Sequence, residues 1–128
     1  MPKDEAIAVE WIQNRARQGD PHAQNLLGIL YELGKGVPRD EARAFEWFKR
    51  SAEQGVAKSQ QQVGFMYAMG KGVPRSDVEA YVWLTLAAEK NLAEAGVLRD
   101  AVEKHMTAED KAEAQKLTAK VFARVSGN

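Results

Sequence analysis

The chain repeats itself every 36 residues, and this period restricts the possible folds more than any other feature of the sequence. Leu27-Gly-Ile-Leu-Tyr-Glu-Leu-Gly-Lys-Gly-Val-Pro-Arg39 recurs as Val63-Gly-Phe-Met-Tyr-Ala-Met-Gly-Lys-Gly-Val-Pro-Arg75. The correspondence runs on through Ala44 and Ala80, Trp47 and Trp83, and Ala52 and Ala88. It also runs backwards, since Asp4-Glu5-Ala6 matches Asp40-Glu41-Ala42, which makes Trp11, Trp47 and Trp83 three copies of one position. A period of this length marks an array of supersecondary units, each of which buries its apolar face only against its neighbours.

Each period holds two helical halves, A and B, separated by a glycine-rich turn. Asp20 is an N-cap and Pro21 occupies the first helical position, where a missing N–H leaves nothing unsatisfied. Helix A then runs to about Leu33; Gly34 and Gly36 supply positive φ angles and Pro38 prevents continuation. Helix B begins after Asp40 and ends near Gly55. In the second unit Ser76 and Glu79 form a capping box, and Asn91 takes the place of the terminal glycine, being the other residue that tolerates the left-handed conformation. Leu27, Leu30 and Tyr31 make one apolar stripe on helix A, repeated by Val63, Met66 and Tyr67. Ala44, Trp47, Phe48 and Ala52 make the complementary stripe on helix B, repeated by Ala80, Trp83, Leu84 and Ala88. All three tryptophans are therefore expected to be core wedges. Gly28 and Gly64 each cost roughly 1 kcal/mol inside a helix relative to alanine, which marks a close approach of helix A to a neighbouring helix.

The expected architecture is all-α: a right-handed α/α solenoid of antiparallel helix pairs, about seven helices with a C-terminal capping helix. One domain spans residues 1–128, with a half repeat at 4–20, repeats at 21–56 and 57–92, and a partial repeat plus cap at 93–126. The last helix opens on the capping pattern Thr107-Ala-Glu-Asp110 and is expected to place Ala114, Leu117, Val121, Phe122 and Val125 on its packed side. It has no tryptophan and no Gly-Lys-Gly-Val-Pro turn before it, as suits a terminal unit whose outer face meets water.

Gly-x-x-Tyr, Gly-Lys-Gly-Val-Pro, Ala-x-x-Trp and Ala-x-x-Gly in this order resemble the Sel1-like repeat family, close kin of TPR repeats, over Asp4 to about Leu92. The ending resembles the capping segment of short bacterial members. The resemblance implies an adaptor, scaffold or inhibitor, some small members being similar to immunity proteins that block secreted toxins. A cysteine-rich branch is linked to β-lactam binding or hydrolysis; this chain has no cysteine.

Composition and motifs weigh against other classes. Eighteen basic residues balance eighteen acidic ones, without the basic excess with which nucleic-acid binders neutralise phosphates. No apolar stretch approaches a membrane span. The sequence as given reads as cytoplasmic, or as periplasmic if a signal peptide was trimmed. There is no G-x-S-x-G, and Ser51, Ser59 and Ser76 lack a lysine three residues on. His22 and His105 stand far apart, so no zinc cluster is expected and no cofactor is implied. The glycine turns lack the Ser/Thr of a Walker loop and follow a helix rather than a strand.

In TPR-like solenoids the A helices line the concave surface, so helix A residues off the packing stripe are the candidate partner-binding set. These are His22, Asn25, Ile29, Glu32 and Leu33; Lys58, Gln61, Phe65, Ala68 and Met69; and Glu94, Val97 and Ala101. Ile29 and Phe65, with Leu33 and Met69 one turn later, form an apolar track suited to a peptide, helix or loop. The expected function is non-catalytic protein binding by a monomer. The alternatives are a small hydrolase or β-lactam binder, and a fragment of a longer repeat scaffold.

Overall fold

The structure, a computed structural model describing residues 3–126, is built from α1 (Lys3–Arg17), α2 (Pro21–Leu33), α3 (Glu41–Glu53), α4 (Ala57–Met69), α5 (Asp77–Ala88), α6 (Ala93–Glu103) and α7 (Ala108–Ser126). Among the described residues there is no strand. The A helices are α2, α4 and α6, and the B helices are α1, α3 and α5. Each packs against the next in the chain as far as α6, and α7 turns back onto α5.

The helix ends follow from the residues placed there. Asp20 accepts hydrogen bonds from the backbone N–H groups of His22 and Ala23 at 3.0 and 3.1 Å. The hydrogen bond from Arg15, seconded by that of Ala23, holds its carboxyl below the ordinary carboxylate range. Gly34 and Gly70 close α2 and α4 with φ of 68° and 66°, and Asn91 takes 69° where the earlier unit has a glycine. Thr107 and Asp110 form a reciprocal capping box, with bonds of 3.0 and 3.2 Å. Ser76 forms half of one: its hydroxyl accepts from the Glu79 N–H, while its own N–H goes to the carbonyl of Tyr67.

Inside each pair the A helix is held against the B helix at its glycine. A β-carbon on Gly28 would lie 2.8 Å from the Phe48 ring, and one on Gly64 would lie 2.6 Å from Leu84 Cγ. Phe48 and Leu84 are fully buried in the contact. The pairs are joined by a polar seam. The amides of Gln24 and Gln60, both buried, donate to the carbonyls of Ala16 and Ala52, each at 3.2 Å. Gln54 then donates to the Gly19 carbonyl at 3.0 Å and to Gln24 Oε1 at 2.9 Å. In the next unit Lys90 takes the place of Gln54 and donates to the Gly55 carbonyl, leaving Gln60 Oε1 without a hydrogen-bond partner.

Two expectations are corrected. The tryptophans share a repeat position but not an environment: Trp83 is 1% exposed, Trp47 is half-buried under the Arg50 guanidinium, and Trp11 is 60% exposed. The position faces the preceding repeat, as the Lys49 ammonium of α3 over the Trp83 ring shows, and no helix precedes α1 among the described residues. Trp11 is thus a surface residue. Phe122, expected on the packed side of α7, is 49% exposed, while Ala114, Val121 and Val125 are buried and Leu117 is partly so. Helix α7 covers the outer face of α5, where Val82 and Leu86 replace the exposed Glu46 and Arg50 of α3. Its end is tied to α3 by paired bonds of 3.0 and 2.8 Å from Arg124 to Glu53.

Gly64→Leu should destabilise the fold by about 3 kcal/mol, because the new side chain must displace Leu84. Gly96, whose β-carbon would meet nothing closer than Ala88 at 3.9 Å, should as alanine stabilise it by about 0.5–1 kcal/mol. Urea unfolding of the two variants measures both.

Candidate functional site

The A-helix face carries two adjoining concavities. The first, of about 470 Å³, lies between Asn25, Ile29 and Glu32 of α2, Lys58, Gln61 and Gln62 of α4, and the Asn91–Glu94 segment that opens α6. The second, of about 230 Å³, lies between Phe65, Ala68 and Met69 of α4 and Leu98, Ala101, Val102 and His105 near α6, with Leu84 at its base. Its rim carries Arg75 and Asp77, paired at 3.3 Å. The first concavity carries more polar and charged side chains than the second, which is mostly apolar, so the face is chemically graded along the A helices.

Among the candidates, Asn25, Ile29, Glu32, Lys58, Gln61 and Glu94 line the first concavity, and Phe65, Ala68, Met69 and Ala101 line the second. His22, Leu33 and Val97 line neither; all three are exposed. The fold already occupies some of the polar candidates. Asn25 Oδ1 lies 2.7 Å from the Ser59 hydroxyl, which is equally close to that of Ser51. Glu32 accepts from the Gln62 amide at 2.8 Å, and Lys71 approaches it at 4.0 Å. Ile29 packs against the core. Phe65 is half-buried, whereas Leu33 and Met69 are 65% and 64% exposed.

Several lining residues escaped the sequence argument, which took only positions off the packing stripe. Gln62 and Leu98 share the repeat position of Leu26, one residue beyond Gln61 and Val97, and this position faces the preceding A helix. Its alternation of leucine, glutamine and leucine was the available signal. Asn91 was read only as a helix stop, yet the turn that carries it and Leu92 forms one wall.

The second concavity offers apolar contact under a charged rim, and the first offers amides and single charges of both signs. Among the described residues no group of three or more His, Cys, Asp or Glu side chains is placed to hold a metal ion. No helix there is long and apolar enough to cross a membrane.

A family model described as Sel1 repeat matches residues 1–20, 21–56 and 57–92. No curated protein matches the chain. One solved structure with which it superimposes is a protective antigen present in uropathogenic Escherichia coli strains and displaying an SLR fold. The TM-score is 0.90 and the identity 33%, over 99% of this chain and 27% of that one. Another is a Sel1 repeat protein from Oxalobacter formigenes, with a TM-score of 0.74 and 39% identity over 76% of this chain and 28% of that one. The chain thus spans little more than a quarter of the length of either.

The contacts within the face separate residues held by the fold from those free to meet a partner. Asn25→Ala should lower unfolding free energy by about 1 kcal/mol, because it removes a partner of the Ser51–Ser59 hydroxyl pair. Leu33→Ala and Met69→Ala should each change it by less than about 0.5 kcal/mol. Thermal and urea unfolding monitored by circular dichroism distinguish the two groups.

Proposed function

Because the chain belongs to the Sel1 repeat family, a helical-repeat solenoid fold that commonly serves protein interaction, we propose that it is a non-catalytic binding module whose A-helix groove holds a peptide, helix or loop of another protein. The observation that carries this reading is the apolar concavity between α4 and α6. Phe65, Ala68, Leu98 and Ala101 line it, and Met69 stands largely in water at its edge. A large apolar side chain left exposed beside an apolar hollow favours a partner that covers both.

The neighbouring, more polar concavity supplies orientation. Lys58 of α4 and Glu94 of α6 line it with opposite charges, and Gln61 of α4 adds donor and acceptor groups. A guest helix would seat one or two apolar side chains in the Phe65 hollow and set its polar flank against these groups. In this reading the module acts as an adaptor, scaffold or immunity-type inhibitor, and its repeats hold the A helices in register as a rigid wall.

Comparative affinity capture from the source cells tests the proposal, using wild type, Met69→Asp and Phe65→Asp. Met69→Asp is the cleaner variant because its side chain is already hydrated; Phe65→Asp should also lower thermal stability. The expected result is a protein retained by wild type and depleted at least tenfold by both variants while helical content is unchanged. Turnover of an ester, amide or β-lactam by the purified chain, unaffected by Phe65→Asp, would overturn the reading in favour of a hydrolase.

A further inference from the structure

The polar seam between helix pairs is closed in one unit and open in the next, and a cavity lies at the opening. In the first unit Gln24 uses both halves of its amide: Nε2 donates to the Ala16 carbonyl, and Oε1 accepts from Gln54. In the second, Gln60 Nε2 donates to the Ala52 carbonyl at 3.2 Å, while Oε1 is buried and has no donor among the described residues. Turning the amide over gives no relief, because its oxygen would then face the Ala52 carbonyl, which can only accept. The cause is a single change between repeats. Lys90 stands at the position of Gln54 and sends its ammonium to the Gly55 carbonyl instead of to Gln60. A buried oxygen left in this state is destabilising, and native interiors rarely keep one without a partner.

A cavity of about 240 Å³ lies beside it. It is lined by Gln60 of α4, by Leu86, Glu89 and Lys90 where α5 ends, and by Phe122 and Val125 of α7. It shares no lining residue with the two concavities of the A-helix face. The repeat gives the direction of the Gln60 oxygen. Gln24 Oε1 meets the side chain at position 54, and the side chain at the matching position 90 forms part of the cavity wall. A β-carbon on Gly55 would lie 3.2 Å from Lys90 Nζ and 3.8 Å from Val125 Cγ1, which sets the ammonium beside the Val125 part of that wall.

We propose that this cavity is a binding site for a small, neutral aromatic molecule carrying an N–H donor, of which indole is the simplest example. Each property of the ligand answers a group in the wall. The Gln60 oxygen requires a donor. Leu86 and Val125, both buried, and the Phe122 ring, 49% exposed, require an apolar and preferably aromatic body. The Lys90 ammonium, with two N–H groups left after Gly55, is attracted to an electron-rich ring face. Glu89 beside it balances the local charge, so the site favours a ligand with none. An ordered water would supply the donor but leave the apolar wall uncovered. A ring with an N–H does both.

Titration of the full chain with indole, followed by NMR of side-chain amides and methyl groups, tests the site. Indole should bind with a Kd of about 0.1–1 mM, as suits a ligand of its size, and shift the Gln60 amide and the Leu86 and Val125 methyls. Benzofuran, the same shape with an oxygen in place of the N–H, should bind about tenfold more weakly. Lys90→Gln rebuilds the seam of the first unit. It should weaken indole at least tenfold, leave helicity unchanged and raise the melting temperature by about 2–5 °C, because the Gln60 oxygen then has its own donor. N-acetyltryptophan amide should bind at least tenfold more weakly than indole; binding as tight or tighter assigns the cavity to a tryptophan of a partner protein and overturns the small-molecule reading. No indole binding up to its solubility means that water alone serves Gln60, and the proposal fails. It fails equally if benzofuran matches indole, if Lys90→Gln keeps full affinity, or if the shifts are confined to the A-helix concavities.

Discussion

The close approach of helix A to helix B at one glycine per repeat is the contact on which the rest of the structure depends. Gly28 admits the Phe48 ring, and Gly64 admits Leu84, at distances no side chain on the A helix would allow. The helical cost of each glycine, about 1 kcal/mol, is offset by complete burial of the residue it receives, about 2–3 kcal/mol for a Phe or Leu. Once the pair is set at this spacing, its flanks are fixed, and so is the rotation that brings Gln24 and Gln60 over the carbonyls of the helix before. The third unit shows the constraint by breaking it. Asp100 stands where the glycine belongs, so α6 cannot take a B helix at that distance. Helix α7 instead finds its apolar surface on the outer face of α5.

Much of this was legible in the sequence because it is written in local chemistry. The caps at Asp20, Ser76 and Thr107, the positive-φ residues Gly34, Gly70 and Asn91, and the stripe of Leu27 and Tyr31 are set by the residue and its near neighbours. Trp11 was misread for the complementary reason. It is identical in type and register to Trp83, yet burial depends on what lies on the far side, and among the described residues no helix lies beyond Trp11. The docking site of α7 was written in the sequence as well, in the change from Glu46 and Arg50 to Val82 and Leu86. An argument built on what the repeats share passes over the positions where they differ. Phe122 was misplaced because a helix with five apolar residues on a broad stripe cannot declare which edge meets its neighbour.

The A-helix face was legible to a different degree. The track of Ile29, Phe65 and Ala101 was marked by repeat position, and those residues do line the two concavities. Their division into a more polar and a more apolar compartment was not marked, because it arises from the neighbours each position meets. Asn25 faces Ser59, and Glu32 faces Gln62 and Lys71. These are contacts between repeats, and they turn two apparent surface groups into part of the wall.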